Sequence, residues 1–170
     1  MREEFVADAL EKYESVLVGY AAGIVRDSER ARDVVQDTFI RLSNQDMDKV
    51  QKGLKTWLFT VCRNRALDVL RKESRAVVTE EAGFHRYEAS GISPVAMADW
   101  EERFSQVMAC LDRLSDNQRE VITLKFQQGL SYKEISAVTG LTVGNVGFLI
   151  HTGLKRMRSL LPDDLLEELM

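Results

Sequence analysis

The sequence predicts an all-α protein of two small helical domains, joined by a flexible acidic linker, with a helix-turn-helix in the C-terminal domain. Three observations predict it. Apolar residues recur at intervals of three and four along the N-terminal stretch and again after residue 98. Residues 76–98 lose that periodicity and collect Gly83, Ser90, Gly91, Ser93 and Pro94, the composition of a connection between domains. Residues 130–161 read as a short helix, a glycine turn and a longer helix.

Composition sets the class. The 170 residues are 45% hydrophobic and 29% charged, enough to bury one good core or two small ones, and too apolar for a disordered polymer. No apolar run approaches the ~18 residues needed to cross a bilayer, and the opening MREEFVADALEKY is too acidic for a signal peptide, so no membrane insertion and a cytoplasmic location are expected. Cys62 and Cys110 sit inside apolar helical patterns and read as buried reduced thiols, not as a disulfide or a zinc site. The net charge of −4 is unevenly spread. Residues 55–75 hold Lys55, Arg63, Arg65, Arg71, Lys72 and Arg75 against Asp68 and Glu73, a balance of +4, and residues 143–161 hold Lys155, Arg156 and Arg158 with no acid, a balance of +3. Between them, residues 76–102 set Arg86 against six acids, a balance of −5. Two basic patches flank an acidic bridge, a pattern compatible with nucleic-acid contact at both ends.

In chain order, Phe5, Ala9, Leu10, Tyr13, Val16, Leu17, Tyr20, Ala21 and Ile24 mark a long amphipathic helix ending near Arg26. Asp27 or Ser28 caps the next, in which Ala31, Val34, Val35, Thr38, Phe39 and Leu42 form the apolar stripe and Asp33, Gln36, Asp37, Ile40 and Arg41 lie on or beside the outward face. Residues 44–53 are polar and read as a loop. A third helix over 54–75 packs through Leu54, Leu58, Val61, Cys62, Ala66 and Val69, turning Thr60, Arg63, Asn64 and Arg71 away. Trp57 and Phe59 beside basic and amide groups suit unstacked bases, since rings stack on bases and cations neutralise phosphate; equally, both rings suit the core of a three-helix bundle. His85, in the linker, has no second metal ligand at useful spacing and reads as exposed and non-catalytic.

The second domain opens near Ala98, with Trp100, Phe104, Val107, Met108 and Leu111 on one face. Ser115 and Gln118 have capping-box spacing, and the helix they start runs through Val121, Ile122, Leu124, Lys125 and Phe126 to Gly129. Ser131 and Glu134 repeat the capping box, Gly140 suits a left-handed C-terminus, and Thr142 caps the final helix, which Pro162 stops. There Val146, Ile150, Leu154, Met157 and Leu161 share one face, while Asn145, Phe148, Thr152 and Lys155 point away, as in a helix that enters a major groove.

Two stretches, in this order and at this separation, resemble the bacterial sigma-70 family, specifically the extracytoplasmic-function sigma factors. Asp33-Val34-Val35-Gln36-Asp37-Thr38-Phe39-Ile40-Arg41-Leu42 is similar to the family's polymerase-binding helix, and Thr56-Trp57-Leu58-Phe59 through Asn64, Asp68 and Arg71 to its promoter-melting helix. Leu114-Ser115, Gln118-Arg119-Glu120-Val121 and Gly129-Leu130-Ser131-Tyr132-Lys133-Glu134-Ile135 are similar to its second domain. The resemblance implies a sigma factor that binds core RNA polymerase and promoter DNA, without cofactor, metal or catalytic residue. It implies polymerase binding by Asp33, Gln36, Asp37, Ile40 and Arg41, and −10 binding by Lys55, Trp57, Arg63, Asn64, Arg71, Lys72 and Arg75. It implies −35 binding by Thr142, Asn145, Phe148, His151, Thr152, Lys155 and Arg156. The segment 44–53 would hold a flipped base, at a cost of roughly a few kcal/mol of unstacking. Domain boundaries of 1–75, 76–98 and 99–170 follow. An anti-sigma factor is a common partner in that family, and no residue of this sequence marks one.

The last helix departs from the family. Where Lys or Arg, then Ser, then Arg commonly follow the valine matching Val146, this chain has Gly147, Phe148 and Leu149, which weakens phosphate neutralisation there. Phe148 or Thr152 would touch thymine methyls, with His151 or Asn145 bonding a base edge or phosphate; alternatively an exposed Phe148-Leu149 pair would meet a protein segment. A glycine inside a helix costs ~1 kcal/mol, which points to close approach of some group to Gly147. Two other classes compete with the sigma reading. A stand-alone helix-turn-helix regulator would bind a palindromic operator without polymerase. A helical enzyme has only scattered carboxylates such as Asp33 and Asp37 in its favour, with no partner histidine, glycine-rich phosphate loop or nucleophile constellation.

Overall fold

A computed structural model describes residues 1–74 and 94–163, and helices account for nearly all of them. Arg75, His85 and the acidic stretch that surrounds it lie outside the described residues, as do the side chain of Trp100 and residues 164–170. The chain divides into two units, the first carrying α1 (Arg2–Val25), α2 (Ser28–Ser43), α3 (Met47–Val50) and α4 (Leu54–Ser74). The second carries α5 (Pro94–Asp112), α6 (Asp116–Ile122), most of α7 (Tyr132–Thr139) and α8 (Val143–Leu160).

In the first unit α1, α2 and α4 pack against one another pairwise. All six residues of the expected α2 stripe are buried, and Thr38 is accommodated because its hydroxyl donates to the Val34 carbonyl at 2.8 Å. Leu17, Leu42, Leu58 and Phe59 fill the centre, each side chain contributing roughly 1.5–3 kcal/mol of apolar burial. Arg26 closes α1 in the left-handed conformation, φ 57°, its N–H donating to the Ala22 carbonyl, an unusual cap for a residue with a Cβ. Asp27 caps α2, accepting from the N–H groups of Glu29 and Arg30. Arg30 in turn pairs with Glu73, tying the start of α2 to the end of α4.

Three sequence expectations need correction. Residues 44–53 are a loop only over 44–46. Asp46 caps the short helix α3, accepting from the Asp48 N–H, a 3-10 turn over Gln51–Gly53 follows, and buried Val50 pins the segment to the bundle. α5 starts at Pro94, not near Ala98, and the N–H a proline lacks is no loss in the first turn of a helix. The helix begun by the Ser115–Gln118 capping box does not continue as α-helix to Gly129 but widens into a π turn over Thr123–Gln127. That turn buries Leu124 and leaves Phe126 60% exposed.

The second unit's core joins Leu111, Leu114 and Ile122 with Val107, Met108, Leu154 and Met157, while Cys110 and Leu161 pack with Leu160 nearby. Both capping boxes form, with Ser115 paired to Gln118 and Ser131 to Glu134. Gly140 takes φ 79° at the end of α7, and Thr142 accepts from the Asn145 N–H to start α8. Ser136 on α7 locks the turn by donating to the Leu141 carbonyl at 2.6 Å. Among the described residues no single helix is long and apolar enough to cross a membrane.

Candidate functional site

The exposed side of α2 is a mixed ridge. Asp33, Gln36 and Arg41 are exposed, and Ile40 stands among them 54% exposed, a large apolar side chain with no internal reason to face outward. Asp37 differs from its neighbours. It is half-buried, with Oδ2 at 3.4 Å from Arg41 Nε and 3.1 Å from Arg65 Nε on α4. Neither guanidinium meets that hidden oxygen in hydrogen-bond geometry, so charge alone holds it. Arg65 therefore belongs to this ridge although its spacing had marked it only as one cation among six.

Along α4 the two rings separate. Phe59 is fully buried and meets Tyr20 edge-on at 5.1 Å between centroids, which removes it from any base-stacking role. Trp57 is half-buried and keeps part of its ring accessible. Asn64, Arg71 and Lys72 are exposed, whereas Lys55 and Arg63 are half-buried. Arg71 lies 3.6 Å from Asp68. Cys62 packs on the inner side, its thiol pushed up to about 12 by burial against a smaller opposing effect of a Thr38 hydrogen bond, so it is neutral and unreactive at neutral pH. Burial raises Cys110 as well, with Arg113 opposing.

The outer side of α8 is divided along its length. Its first half presents Asn145, Phe148 and His151, all exposed, with Phe148 at 64%. Its second half presents Lys155 and Arg156 beside a cleft of about 410 Å3 that Gln118, Thr152 and Ser159 also line. Thr142 is exposed, but its hydroxyl already serves as the helix cap. Thr152 is half-buried and its hydroxyl is occupied, accepting from Gln118 Nε2 at 3.1 Å and donating to the Phe148 carbonyl at 2.9 Å. The expected exposed Phe148-Leu149 pair is reduced to Phe148, because Leu149 is half-buried. The close approach expected at Gly147 is not met: a Cβ there would lie 3.4 Å from the Tyr132 ring, an ordinary contact, and Lys125 Nζ sits 5.2 Å from the same ring's centroid.

Spacing did not single out Arg65, Gln118, Tyr132 or Gly153 as functional. Nothing in one sequence signals an inter-helix ion pair or hydrogen bond. No group of three or more His, Cys, Asp or Glu among the described residues could hold a metal ion.

Residues 9–76 match the model of sigma-70 region 2 and residues 104–157 that of sigma-70 region 4. The ECF RNA polymerase sigma factor EcfG of Rhodopseudomonas palustris (strain TIE-1) is 30% identical over 146 residues, 85% of this chain and 78% of the relative. SigM of Bacillus subtilis (strain 168), another ECF RNA polymerase sigma factor, is 26% identical over 160 residues, covering 91% of this chain and 94% of its own. The fold is shared with the sigma factor RpoE from Bartonella quintana, solved in complex with the anti-sigma factor NepR, at TM-score 0.64, 24% identity and 91% and 94% coverage. It is shared also with CnrH, solved in complex with the cytosolic domain of CnrY, at TM-score 0.61, 25% identity and 93% and 88% coverage.

Proposed function

Because the chain belongs to the sigma-70 family, among its extracytoplasmic-function RNA polymerase sigma factors, we propose how it divides the work of binding core RNA polymerase and directing promoter recognition. The observation that supports the division is that residues 9–76 match region 2 and lie in the first helical unit, while residues 104–157 match region 4 and lie in the second apart from Ala137–Thr139.

Residues 1–75 serve core polymerase and the −10 element. Asp33, Gln36 and Arg41 orient the α2 ridge on polymerase, Ile40 supplies the desolvated centre of the contact, and Asp37 is set in place by Arg65. On α4, Lys55, Arg63, Arg71, Lys72 and Arg75 neutralise phosphate, Asn64 bonds a base edge, and Trp57 stacks on an unpaired base. The helical turns of 44–53 receive the flipped base. Polymerase and phosphate contacts together offset the unstacking, which costs roughly a few kcal/mol.

Residues 99–170 serve the −35 element, with 76–98 as the connection. Asn145, Phe148 and His151 meet the bases, while Lys155 and Arg156 meet phosphate beyond them. Three cations on this helix, all in its second half, make a weak DNA ligand alone; tethering by polymerase raises its effective concentration. The protein acts by binding, without covalent chemistry, metal or cofactor, and works in the cytoplasm where polymerase is. Both structural neighbours carry a bound partner protein, in one case an anti-sigma factor, which supports a regulator of that class for this chain too.

Footprinting tests the reading. Protection of −35 and −10 should require both the chain and core polymerase, whereas a palindromic footprint from the chain alone would establish the stand-alone regulator instead.

A further inference from the structure

One side chain in the second unit holds two helices at once. Gln118 Oε1 accepts from the Ser115 N–H at 3.2 Å, completing the capping box that starts α6. With its oxygen committed, its amide nitrogen is turned to α8, where it donates to Thr152 Oγ1 at 3.1 Å. The Thr152 hydroxyl donates in turn to the Phe148 carbonyl at 2.9 Å, one turn nearer the helix start, with the Leu149 carbonyl farther off at 3.3 Å. The chain of bonds runs from the first turn of α6 to the exposed aromatic of the recognition helix. A second observation shows close packing of the two helices at the same level. Gly153 is buried, and a Cβ there would lie 2.5 Å from Ile122 Cδ1 and 3.5 Å from Gln118 Cβ. A larger residue at 153 would have to displace the end of the Ile122 side chain for α6 to stay this near and Gln118 to reach Thr152.

We propose that Gln118 is a positioning residue for −35 recognition, and that Thr152 transmits the position instead of reading a base. This rests on the reading of the second unit as the −35 reader. The first half of α8 is seated by buried Val146 and Ile150, and the Gln118 grip on Thr152 adds a polar constraint on its rotation, and so on the aim of Phe148 and Asn145. Hydroxyl back-bonding to a carbonyl one turn earlier also adjusts the local bend of a helix, and the Gln118 donor on Thr152 orients the hydroxyl that makes it. The outward polarity of Thr152, which from spacing alone suits a base contact, is thus spent inside the protein.

The test uses holoenzyme reconstituted from the full chain and core polymerase, on a promoter recovered from genomic fragments by that holoenzyme. The readout is the ratio of transcript from the intact promoter to transcript from one with a scrambled −35 element. The ratio is taken per holoenzyme formed, so that loss of folded chain cancels. Thr152→Val keeps the shape and removes the hydroxyl; it should lower the ratio about fivefold, the scale of one hydrogen bond. Thr152→Ser, which restores the hydroxyl without the methyl, should rescue it. In a Gln118→Ala background, Thr152→Val should cost nothing more. An unchanged ratio in Thr152→Val, a loss in Thr152→Ser equal to that in Thr152→Val, or an additive second loss overturns the proposal and leaves the −35 assignment standing. A wild-type holoenzyme indifferent to the −35 scramble overturns both.

Discussion

Three glycines on the recognition helix should respond to the same substitution in different ways. A Cβ at Gly144 meets nothing within 4 Å, one at Gly147 meets the Tyr132 ring at 3.4 Å, and one at Gly153 meets Ile122 Cδ1 at 2.5 Å. Alanine replaces glycine in a helix with a gain of up to ~1 kcal/mol. Gly144→Ala collects part of that gain near the helix start, and Gly147→Ala collects most of it, because 3.4 Å is an ordinary contact. Gly153→Ala must in addition move α6 or Ile122 by about 1 Å to restore a normal carbon–carbon separation, and overpacking of that kind costs about 1–3 kcal/mol. The net expectation is a loss of about 1 kcal/mol, which shifts the melting midpoint of a unit this size down by about 4–8 °C. Ile122→Val deletes the obstructing methyl, so it should recover stability in the Gly153→Ala background although it costs about 0.5–1.5 kcal/mol alone. Thermal melts of the full chain, with hydrogen exchange across α6 and α8 to localise the change, read the series. A Gly153→Ala chain at least as stable as wild type, or one that Ile122→Val weakens further, would refute the close-packing argument.

Other expectations concern the first unit. Phe59→Ala should cost about 3–5 kcal/mol of stability because the ring is fully buried on Tyr20, while Trp57→Ala should mainly reduce promoter opening; equal melting midpoints for the two would count against their separation. Arg65→Ala removes the cation 3.1 Å from Asp37 and should weaken co-elution with core polymerase while changing stability by less than ~1 kcal/mol, the pair being partly exposed; undiminished co-elution would detach Arg65 from the ridge. Cys62 should resist alkylation in the native chain. Because its thiol is raised from 9.0 to about 12, its contribution to stability is complete below pH 9 and lost as pH rises towards 12, since the unfolded thiol ionises first. A Cys62→Ala chain should therefore lose less stability over that interval, which denaturant titrations at each pH would measure.

Much of this fold is legible in the sequence, for physical reasons that differ by element. The α2 stripe follows from periodicity alone, and all its members are buried. Capping boxes at Ser115 and Ser131 and the left-handed Gly140 are local chemistry, fixed by residues three or four positions apart, and they formed as the spacing requires. What spacing could not carry was contact between helices. Asp37 reads as a free outward acid until Arg65 is seen beside it, and Thr152 as a free outward hydroxyl until Gln118 is found. Polar composition misled at 44–53 because Asp46 and the single buried Val50 suffice to wind a short helix there. The π turn after Ile122 was equally hidden, since no residue type in Thr123–Gln127 calls for a widened turn.

The most direct test of the central claim is permanganate reactivity of promoter thymines in the presence of the chain, core polymerase or both. Unpaired thymines around −10 should appear only when chain and core are combined, and should diminish when Asp33, Gln36 and Arg41 are replaced by alanine. Opening by core polymerase without the chain, or none when the two are combined on a promoter they jointly protect, would contradict the account.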